Sequence, residues 1–497
     1  MTSVAVRPPR PAASPAFAGT ALEGRWELVA ILAIAAAAAA IRFATLGEQS
    51  LWADEATTFV SVLRADLGHT LGQVGASESN PYLYYALAWV WTRIFGATDV
   101  GLRSLSAVIG TATVPVAWWA GRTLVSRAAG TAAAALVATS PFMVWYSQEA
   151  RPYALLALTS AVALGFFGQA VVRRSPRPVV WWAVASGAAL TTHYFAIVTV
   201  AAEAVALLLL LPELRRAVTR AVAGLAALCA LLLPLALHQA GGGHAEWIPL
   251  IPLGTRIGYL VQQYLVGYYH GSPAAALGAI AAVPAVAVAA VAAWTGLRAR
   301  QVGWLACAAI GLATIAVPLA GALLGIDFFF PRNAIASWVP LAIAAGAAAS
   351  VRRVGPVVIA AAVAASLTVT IAIDADTSVQ RTDWRDAARA LGPATRTRAV
   401  IGANTGSHPL EHYLPRSRRV LGGAVTVSEI DVLGYSRDLR PRRRPPPPGF
   451  RLFARGATPG FVFERYLAAG PRIVSIRALS RLRIGVGHAP IMVQPPR

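Results

Sequence analysis

The chain has 497 residues, of which 57% are apolar and only 13% are charged. This composition excludes an ordinary soluble globular protein and predicts a multi-span membrane protein. The formal net charge of +21 comes from arginine alone, because the chain contains no lysine, and the arginines lie between apolar stretches and in the tail. We therefore predict a lipid bilayer around the chain and no nucleic-acid partner.

Eleven apolar stretches follow an N-terminal lead, 1–25, that we interpret as disordered and cytoplasmic. Each is about long enough to cross the hydrocarbon core of a bilayer as a helix. The stretches lie at about 26–46, 103–121, 128–146, 152–172, 178–193, 194–211, 217–238, 273–297, 302–325, 332–351 and 354–373. Arginine is concentrated in alternate connecting segments. The positive-inside rule therefore predicts a cytoplasmic N-terminus and an extracytoplasmic C-terminal tail.

This alternation requires the segment 81–95 to lie along the membrane surface and not to cross it. The segment is short and rich in tyrosine and tryptophan, which prefer the membrane interface. It belongs to the first long loop, 47–102, which we predict to be external and to carry helices at about 56–74 and 81–95. Ordered loops of this length usually have a function.

A later external loop, 239–272, contains His244, Trp247 and the aromatic segment 268–270. Its glycines and its aromatic residues suit a segment that folds back over the protein. We predict that it covers a cavity from outside.

Composition changes after residue 373, where charged residues become frequent. The tail domain, 374–497, is predicted to be a small α/β unit with a helix at 383–391 and strands at 399–402 and 473–476. The segment 442–448, which has three arginines followed by four prolines, is predicted to be an extended linker or loop.

Two adjacent carboxylates, Asp54 and Glu55, follow the first apolar stretch. An external carboxylate can take the proton of an attacking hydroxyl group. Asp54 is our candidate general base, and Glu55 is a candidate acceptor or metal contact. Trp52 is a candidate for stacking on a sugar ring or, alternatively, an interfacial anchor. The competing interpretation of the acidic pair is that it only solvates the loop.

A second polar cluster contains Glu149 and Arg151 and lies between two predicted spans. Glu149 is a candidate second catalytic carboxylate, although the two residues also suit a simple surface ion pair. His193 lies at the turn of a predicted helical hairpin. It is a candidate metal ligand or phosphate contact, or alternatively a structural histidine.

Two further charged residues stand at or inside predicted spans. Arg332 follows Asp327 at the outer end of a span, where a guanidinium can bind a phosphate bidentately. The alternative is an interfacial arginine paired with Asp327. Glu203 lies within a span, where an acid requires a partner or a polar cavity.

Five motifs in this order resemble the GT-C glycosyltransferases that use polyprenyl-phosphate sugars, a group that includes bacterial protein mannosyltransferases and lipid A aminoarabinose transferases. The resemblance covers residues 26 to about 392. The motifs are Leu-Trp-Ala-Asp-Glu (51–55), Pro-Tyr-Leu-Tyr-Tyr (81–85), Tyr-Ser-Gln-Glu-Ala-Arg-Pro-Tyr (146–153), Thr-His-Tyr-Phe (192–195) and Asp-Trp-Arg (383–385).

The resemblance implies an all-α polytopic membrane domain at 26–373, with about eleven helices, and a small extracytoplasmic α/β domain. It implies transfer of a sugar from polyprenyl phosphate, with inversion, to an acceptor that is a protein, a glycan or a lipid. Asp54, Glu55 and Glu149 would be catalytic. The expected substrate contacts are Trp52, Tyr84, Arg151, His193 and Arg332.

Members of this group differ in their use of a divalent cation. If Mg²⁺, Mn²⁺ or Zn²⁺ is bound here, the expected ligands are Asp54, Glu149 and His193. The alternative to a transferase is a multi-span transporter or lipid flippase, in which Glu203 and the external acids form an ion or substrate path. Paired broken helices at the bilayer midplane would favour that alternative.

Overall fold

The computed structural model describes residues 21–243, 245–267, 274–376, 380–436, 445–484 and 489–496. Most of the lead predicted at 1–25, the residues 268–270 and 442–444, and His244 lie outside the described residues.

The helices of the described part run in chain order as α1 (Ala21–Ala44), α2 (Ala53–Thr57), α3 (Leu67–Ser77), α4 (Leu83–Phe95), α5 (Asp99–Leu124), α6 (Arg127–Thr139), α7 (Pro141–Ser147), α8 (Tyr153–Arg173), α9 (Pro176–Thr192), α10 (Ala196–Leu210), α11 (Arg215–Gly241), α12 (Leu253–Val266), α13 (Ala274–Ala299), α14 (Val302–Leu323), α15 (Trp338–Gly346), α16 (Val354–Ala375), α17 (Trp384–Leu391), α18 (Ser407–Tyr413) and α19 (Ile476–Ser480). A π-helical turn at Thr58–Val62 extends α2, and 3₁₀ turns occupy Pro212–Leu214, Pro331–Ser337 and Ala347–Ser350. The strands are β1 (Arg398–Ile401), β2 (Arg418–Arg419), β3 (Ala424–Tyr435), β4 (Phe450–Ala457), β5 (Phe461–Ser475) and β6 (Ile491–Gln494).

The predicted fold class, a helical multi-span membrane protein with a small C-terminal domain of sheet and helices, is confirmed. Within the described ranges, eight helices are long and apolar enough to cross a membrane, or nine if the bent pair α6 and α7 forms one span. Each of the eleven predicted stretches coincides with helix. Two of them, α9 and α10, are only 17 and 15 residues long. The number of eleven spans therefore stays a prediction.

The bend between α6 and α7 is 59°, and it is held by a buried arginine from α1. Pro141 lacks the N–H that would bond to the carbonyl of Val137 four residues earlier. The Arg42 guanidinium donates instead to the carbonyl oxygens of Val137 and Ala138, at 3.1 and 3.0 Å. It also donates to Ser147 Oγ at 3.1 Å. Arg42 thus provides hydrogen bonds to carbonyl oxygens that lack a helical partner at the break. Its contact with Ser147, at the end of α7, holds the start of the following loop in place.

The first long loop is largely helical, as predicted, but the predicted helix at 56–74 is too long. The predicted piece at 56–74 is divided by a break at 63–66, because α2 and its π-helical turn end at Val62 and α3 begins at Leu67. Asp66 caps α3 by accepting a hydrogen bond from the backbone N–H of His69 at 2.9 Å. The predicted piece at 81–95 forms α4.

The tail domain contains a six-stranded sheet in the order β2-β6-β1-β3-β5-β4, in which only the β1–β3 pair is parallel. The predicted helix at 383–391 corresponds to α17, with Asp383 as its N-cap. The predicted strand at 399–402 overlaps β1. The strand predicted at 473–476 is the end of the much longer β5, and residue 476 begins α19.

Hydrogen bonds and ion pairs hold the tail domain against the first long loop. Asp99 receives hydrogen bonds from Arg385 at 2.7 Å and from the Tyr413 hydroxyl at 2.6 Å, and it lies 3.0 Å from His412 Nε2. The same Tyr413 oxygen accepts a hydrogen bond from the backbone N–H of Leu51 at 2.6 Å. The tail domain is therefore attached three residues before Asp54.

Candidate functional site

A cavity of about 460 Å³ lies where the first long loop, the helical bundle and the tail domain meet. Its walls are mainly aromatic, with two acids and two arginines among them. They consist of Trp52, Ala53, Asp54, Trp145, Tyr146, Glu149, Trp247, Phe330, Arg332, Gln380, Arg381, Thr382, Trp384, Thr405 and Tyr435. Trp247 belongs to the loop 239–272, and its presence in the wall agrees with the prediction that this loop covers a cavity.

Asp54 occupies the first turn of α2 and faces this cavity. Its side chain is 32% exposed, and Oδ2 accepts a hydrogen bond from Arg332 Nη1 at 3.0 Å. The Arg332 guanidinium also lies 5.3 to 5.6 Å from the ring centroids of Tyr153, Trp247 and Phe330. The alternative partner considered for Arg332, Asp327, is instead paired with Arg256 at 2.6 Å. Arg332 is therefore not paired with Asp327, and its guanidinium lines the cavity next to Asp54.

Glu55 points away from the cavity and is fully buried. Both of its oxygens accept hydrogen bonds from Arg103, at 2.7 and 2.5 Å, and Oε1 also accepts from the backbone N–H of Ala150 at 2.9 Å. Burial would raise the pKa of Glu55, but the contact with Arg103 outweighs burial and holds that pKa below its usual value. The predicted catalytic Glu55 is thus in a structural ion pair, outside the cavity wall.

Glu149 reaches the cavity from the loop between α7 and α8. The bend between α6 and α7 sets the direction of this loop. Its Oε2 accepts a hydrogen bond from Arg381 Nη2 at 3.1 Å, whereas Oε1 is buried without a hydrogen-bond partner among the described residues. Burial raises the pKa of Glu149 to about 7, and the negative charges of Glu55 and Asp54 act in the same direction. Glu149 is therefore poised to change its protonation state near neutral pH.

Two predicted substrate contacts lie behind the cavity wall. Arg151 Nη1 donates to Glu78 at 2.7 Å and to Thr58 Oγ1 at 3.0 Å, and it also lies 3.4 Å from the carbonyl oxygen of Asp54. Tyr84 is fully buried, with its hydroxyl 3.1 Å from Ser106 Oγ. These contacts indicate that Arg151 positions the turn that carries Asp54, and that Tyr84 packs inside the loop.

His193 follows α9 and is buried next to the cavity without forming part of its wall. Its ring centroid lies 5.8 Å from that of Tyr153, and its Nδ1 accepts a hydrogen bond from the backbone N–H of Phe195 at 3.2 Å. Burial and the nearby positive charge of Arg332 lower the pKa of His193 to about 3. His193 is therefore neutral, and it supports Tyr153, which lies beside Arg332.

The three predicted metal ligands, Asp54, Glu149 and His193, are not gathered at one point. Within the described ranges, no group of three His, Cys, Asp or Glu side chains is close enough to hold a metal ion. Asp54 and Glu149 share the cavity but are each paired with an arginine. The residues as arranged do not fit a three-ligand site, so we derive no step through a metal.

Glu203 has a partner inside the bundle, the indole N–H of Trp182, which donates to Oε2 at 2.7 Å. Of the described helices, one apolar pair, α6 and α7, is broken at a sharp bend. Paired broken helices at the bilayer midplane would have favoured the transporter alternative. A single broken pair among the described helices does not favour the transporter alternative.

Sequence reasoning missed the contribution of the tail to the cavity. Arg381, Trp384, Thr405 and Tyr435 all line it. Arg381 donates to Glu149, and its guanidinium lies 4.2 Å from the ring centroid of Trp145. The one available signal was the Asp-Trp-Arg motif at 383–385, which contains Trp384.

Residues 79–237 match the model of a protein family described as dolichyl-phosphate-mannose-protein mannosyltransferase. The matched segment extends from the first long loop into α11 and includes Glu149 and His193. A comparison with curated proteins found no match.

Several solved structures resemble the chain. The structure of ArnT from Cupriavidus metallidurans in the apo state has a TM-score of 0.56 and 14% sequence identity, covering 90% of this chain and 98% of that one. The structure of the same protein bound to undecaprenyl phosphate has a TM-score of 0.52 and 13% identity, covering 89% and 98%. The archaeal oligosaccharyltransferase AglB from Archaeoglobus fulgidus, in complex with an inhibitory peptide and a dolichol-phosphate, has a TM-score of 0.48 and 14% identity, covering 74% of this chain.

This chain spans 58% of the length of the AglB chain that it matches. The likeness to ArnT, in contrast, extends over nearly the whole of both chains and shows the fold. The chain therefore has the fold of the GT-C glycosyltransferases, and the resemblance to this group is confirmed. The matched family model covers residues 79–237, which is less than half of the chain.

Proposed function

We propose that the protein is an inverting glycosyltransferase that moves a sugar from a polyprenyl-phosphate donor to an extracytoplasmic acceptor. The observation that carries this proposal is the cavity in which Asp54 and Glu149 meet Arg332 and Arg381 between aromatic walls. The undecaprenyl phosphate bound in the ArnT structure supports a donor of this kind. The distribution of arginines supports an extracytoplasmic site, with the tail domain on the same side.

Asp54 is the general base of the proposed reaction. Of the two adjacent carboxylates, it is the one with an exposed side chain that faces the cavity. The acceptor hydroxyl gives its proton to Asp54 while its oxygen forms a bond to the anomeric carbon of the sugar. The bond between that carbon and the phosphate oxygen breaks, and its electron pair leaves with the polyprenyl phosphate. Attack on the side opposite the leaving group inverts the anomeric configuration.

Arg332 binds the departing phosphate. A guanidinium presents paired N–H donors that match two phosphate oxygens, and it stabilises negative charge as it develops. The hydrogen bond from Arg332 to Asp54 keeps the base and the phosphate site next to each other. Three aromatic rings, each with its centroid 5.3 to 5.6 Å away, pack around the guanidinium.

Glu149 and Arg381 orient the bound sugar. The unpaired Oε1 of Glu149 can accept a hydrogen bond from a sugar hydroxyl, and Arg381 holds the other carboxylate oxygen. A buried acceptor atom without a partner is costly, so a substrate hydroxyl at this point gains binding free energy.

The test is transfer of label from a panel of radiolabelled polyprenyl-phosphate sugars by the purified chain in lipid nanodiscs. We expect label transfer or release with at least one donor, and loss of this activity in Asp54→Asn. Asp66→Asn is the matched control, because Asp66 belongs to the same loop, is exposed and lies outside the cavity wall. Equal activity in Asp54→Asn and the wild type would remove Asp54 as the base. No activity with any donor in the wild type would contradict the proposal.

A further inference from the structure

The tail domain supplies one wall of the cavity, and this wall differs in chemistry from the rest. The two acids of the cavity are each paired with one of its two arginines, as Arg332–Asp54 and Arg381–Glu149. Apart from Arg381, the described residues that the tail domain contributes to the wall are uncharged: Gln380, Thr382, Trp384, Thr405 and Tyr435. If the donor phosphate takes Arg332, none of the described residues of the cavity wall offers a further unpaired cation to a second anion.

The hydroxyl groups of this wall are held in a fixed arrangement. The Tyr435 hydroxyl donates to the carbonyl oxygen of Asn404 at 2.7 Å and lies 3.0 Å from Thr405 Oγ1. Thr405 has a φ of 68°, in the left-handed region that β-branched residues rarely adopt. Strain of this kind concentrates at binding and catalytic sites, where the surrounding structure maintains it.

An aromatic stack supports the wall from behind. Trp384 lies 4.6 Å from Phe461 between ring centroids, and Phe461 stacks on Tyr435 at 5.4 Å with an interplanar angle of 26°. A side chain at Gly406 would come within 2.4 Å of the Trp384 ring, so the backbone beside Thr405 rests directly on that indole. The wall is therefore closely packed from behind.

Two buried polar atoms next to this wall have no hydrogen-bond partner among the described residues. They are the indole Nε1 of Trp52 and Oε1 of Gln380, one a donor and the other an acceptor. Both side chains line the cavity, and Gln380 is more than nine-tenths buried. A ligand with hydroxyl groups would satisfy both atoms, because a hydroxyl both donates and accepts.

We propose that this wall, made of Trp384, Thr405 and Tyr435 with Trp52 and Gln380, binds a neutral saccharide as the acceptor. The inference rests on the proposed function and specifies its second substrate, so that the reaction lengthens a glycan. A sugar ring offers an apolar face for an indole and hydroxyls for the polar atoms. A peptide bound by strand addition would pair with an exposed sheet edge, and among the described residues the edge strands β2 and β4 contribute none to the cavity wall.

The test is saturation-transfer NMR on the full chain in nanodiscs without donor. The probes are an uncharged mannotriose, an uncharged arabinotriose and an acetylated, amidated Ser/Thr hexapeptide. We expect saturable binding of at least one trisaccharide. Tyr435→Phe and Thr405→Val should each weaken it by roughly 2- to 12-fold, the effect of one hydrogen bond. Tyr82→Phe is the matched control, because Tyr82 lies in the first long loop and outside the cavity wall.

Binding of the peptide in place of the saccharides would overturn the inference. So would the absence of binding by either trisaccharide, or affinities that remain unchanged in both Tyr435→Phe and Thr405→Val. Release of label is measured separately, after radiolabelled polyprenyl-phosphate donor is added to the same protein preparations. If release still depends on Asp54 while no saccharide binds, the acceptor assignment fails and the proposed transferase stands. If release does not depend on Asp54, the proposed function itself fails.

Discussion

Asp54 and Glu55 are adjacent in the chain, yet they belong to two different regions of the molecule. The side chain of Asp54 is 32% exposed and lines the cavity with Arg332. The side chain of Glu55 has no exposed surface and is bound by Arg103 from α5. In a helical turn, neighbouring side chains point in different directions, so one residue of the pair faces the cavity while the next faces the protein interior.

The comparison shows how the first long loop maintains its shape beside an open cavity. Glu55 links α2 to α5 through Arg103 and to the loop after α7 through the backbone N–H of Ala150. Ala150 follows Glu149 directly. The buried carboxylate of Glu55 thereby fixes the positions of Asp54 and Glu149 relative to each other. Glu55 thus has a structural role, whereas Asp54 lines the cavity.

Removing the partner of Glu55 should have the largest effect on stability. Arg103→Met leaves a carboxylate buried without its cation, which typically costs about 3–5 kcal/mol. We expect a markedly lower melting temperature in detergent, measured by intrinsic fluorescence. The double variant Arg103→Met with Glu55→Leu should recover part of the loss, because it removes the unpaired charge but still leaves the carbonyl oxygens of Leu46, Gln49 and Ser50 without the guanidinium. If the double variant were as unstable as the single one, Glu55 and Arg103 would not act as a pair.

A change at Arg332 should affect the reaction more than the fold. Arg332→Gln removes the cation proposed for the phosphate, and loss of one such stabilising group lowers turnover by about 10²–10³-fold. Arg332→Lys should restore part of the rate, because it keeps the charge without the paired donors. Label transfer at saturating donor measures both variants. Arg64→Gln, an exposed arginine of the first long loop, is the control and should be neutral. Full activity in Arg332→Gln would contradict the phosphate assignment.

Glu149 should give the protein a pH dependence near neutrality, since burial raises its pKa to about 7. If the ionised form orients the sugar, activity rises with pH through this value, and Glu149→Gln removes that rise. Stability should move in the opposite direction. The folded form holds the proton more tightly than the unfolded chain, whose pKa is near 4.5, so stability falls as pH increases from about 4.5 to 7 and then levels off. Melting curves of the wild type and Glu149→Gln across this range measure the difference.

The attachment of the tail domain should have the smallest effect. Tyr413→Phe removes the hydroxyl that donates to Asp99 and accepts from the backbone of Leu51. Each lost hydrogen bond costs about 0.5–1.5 kcal/mol. We expect a modest fall in melting temperature and a lower kcat with an unchanged KM for donor, because Tyr413 positions the segment before Asp54 without touching substrate. A changed donor KM with an unchanged kcat would contradict this positioning role.

The sequence was sufficient to predict the long apolar helices and the placement of Asp54 just after the first of them. Apolar runs of membrane-spanning length and the placement of arginine are local features, so they can be read directly from the chain. The orientation of Glu55 was not predictable, because its partner Arg103 is 48 residues away. The same limit applied to the cavity wall: Arg381 meets Glu149 across 232 residues, and only the folded tail domain brings them together.

Single polar contacts, one local and one distant in sequence, also decided the extents of some elements. The helix predicted at 56–74 ends early in the structure, because Asp66 starts a new helix by capping α3. The break between α6 and α7 is stabilised by Arg42, which comes from α1. In both places the apolar pattern alone is compatible with one unbroken helix. Contacts of single polar side chains stabilise the break.

The separation of roles between Asp54 and Glu55 is tested most directly by single-turnover label transfer with donor-saturated protein, alongside donor binding and melting temperature. For Asp54→Asn we predict normal donor binding, an unchanged melting temperature and a transfer rate lowered by about 10²–10⁴-fold, the usual contribution of a general base. For Glu55→Gln we predict a lower melting temperature and a transfer rate that falls far less. Wild-type transfer by Asp54→Asn, or a larger loss of rate in a stably folded Glu55→Gln, would contradict the account.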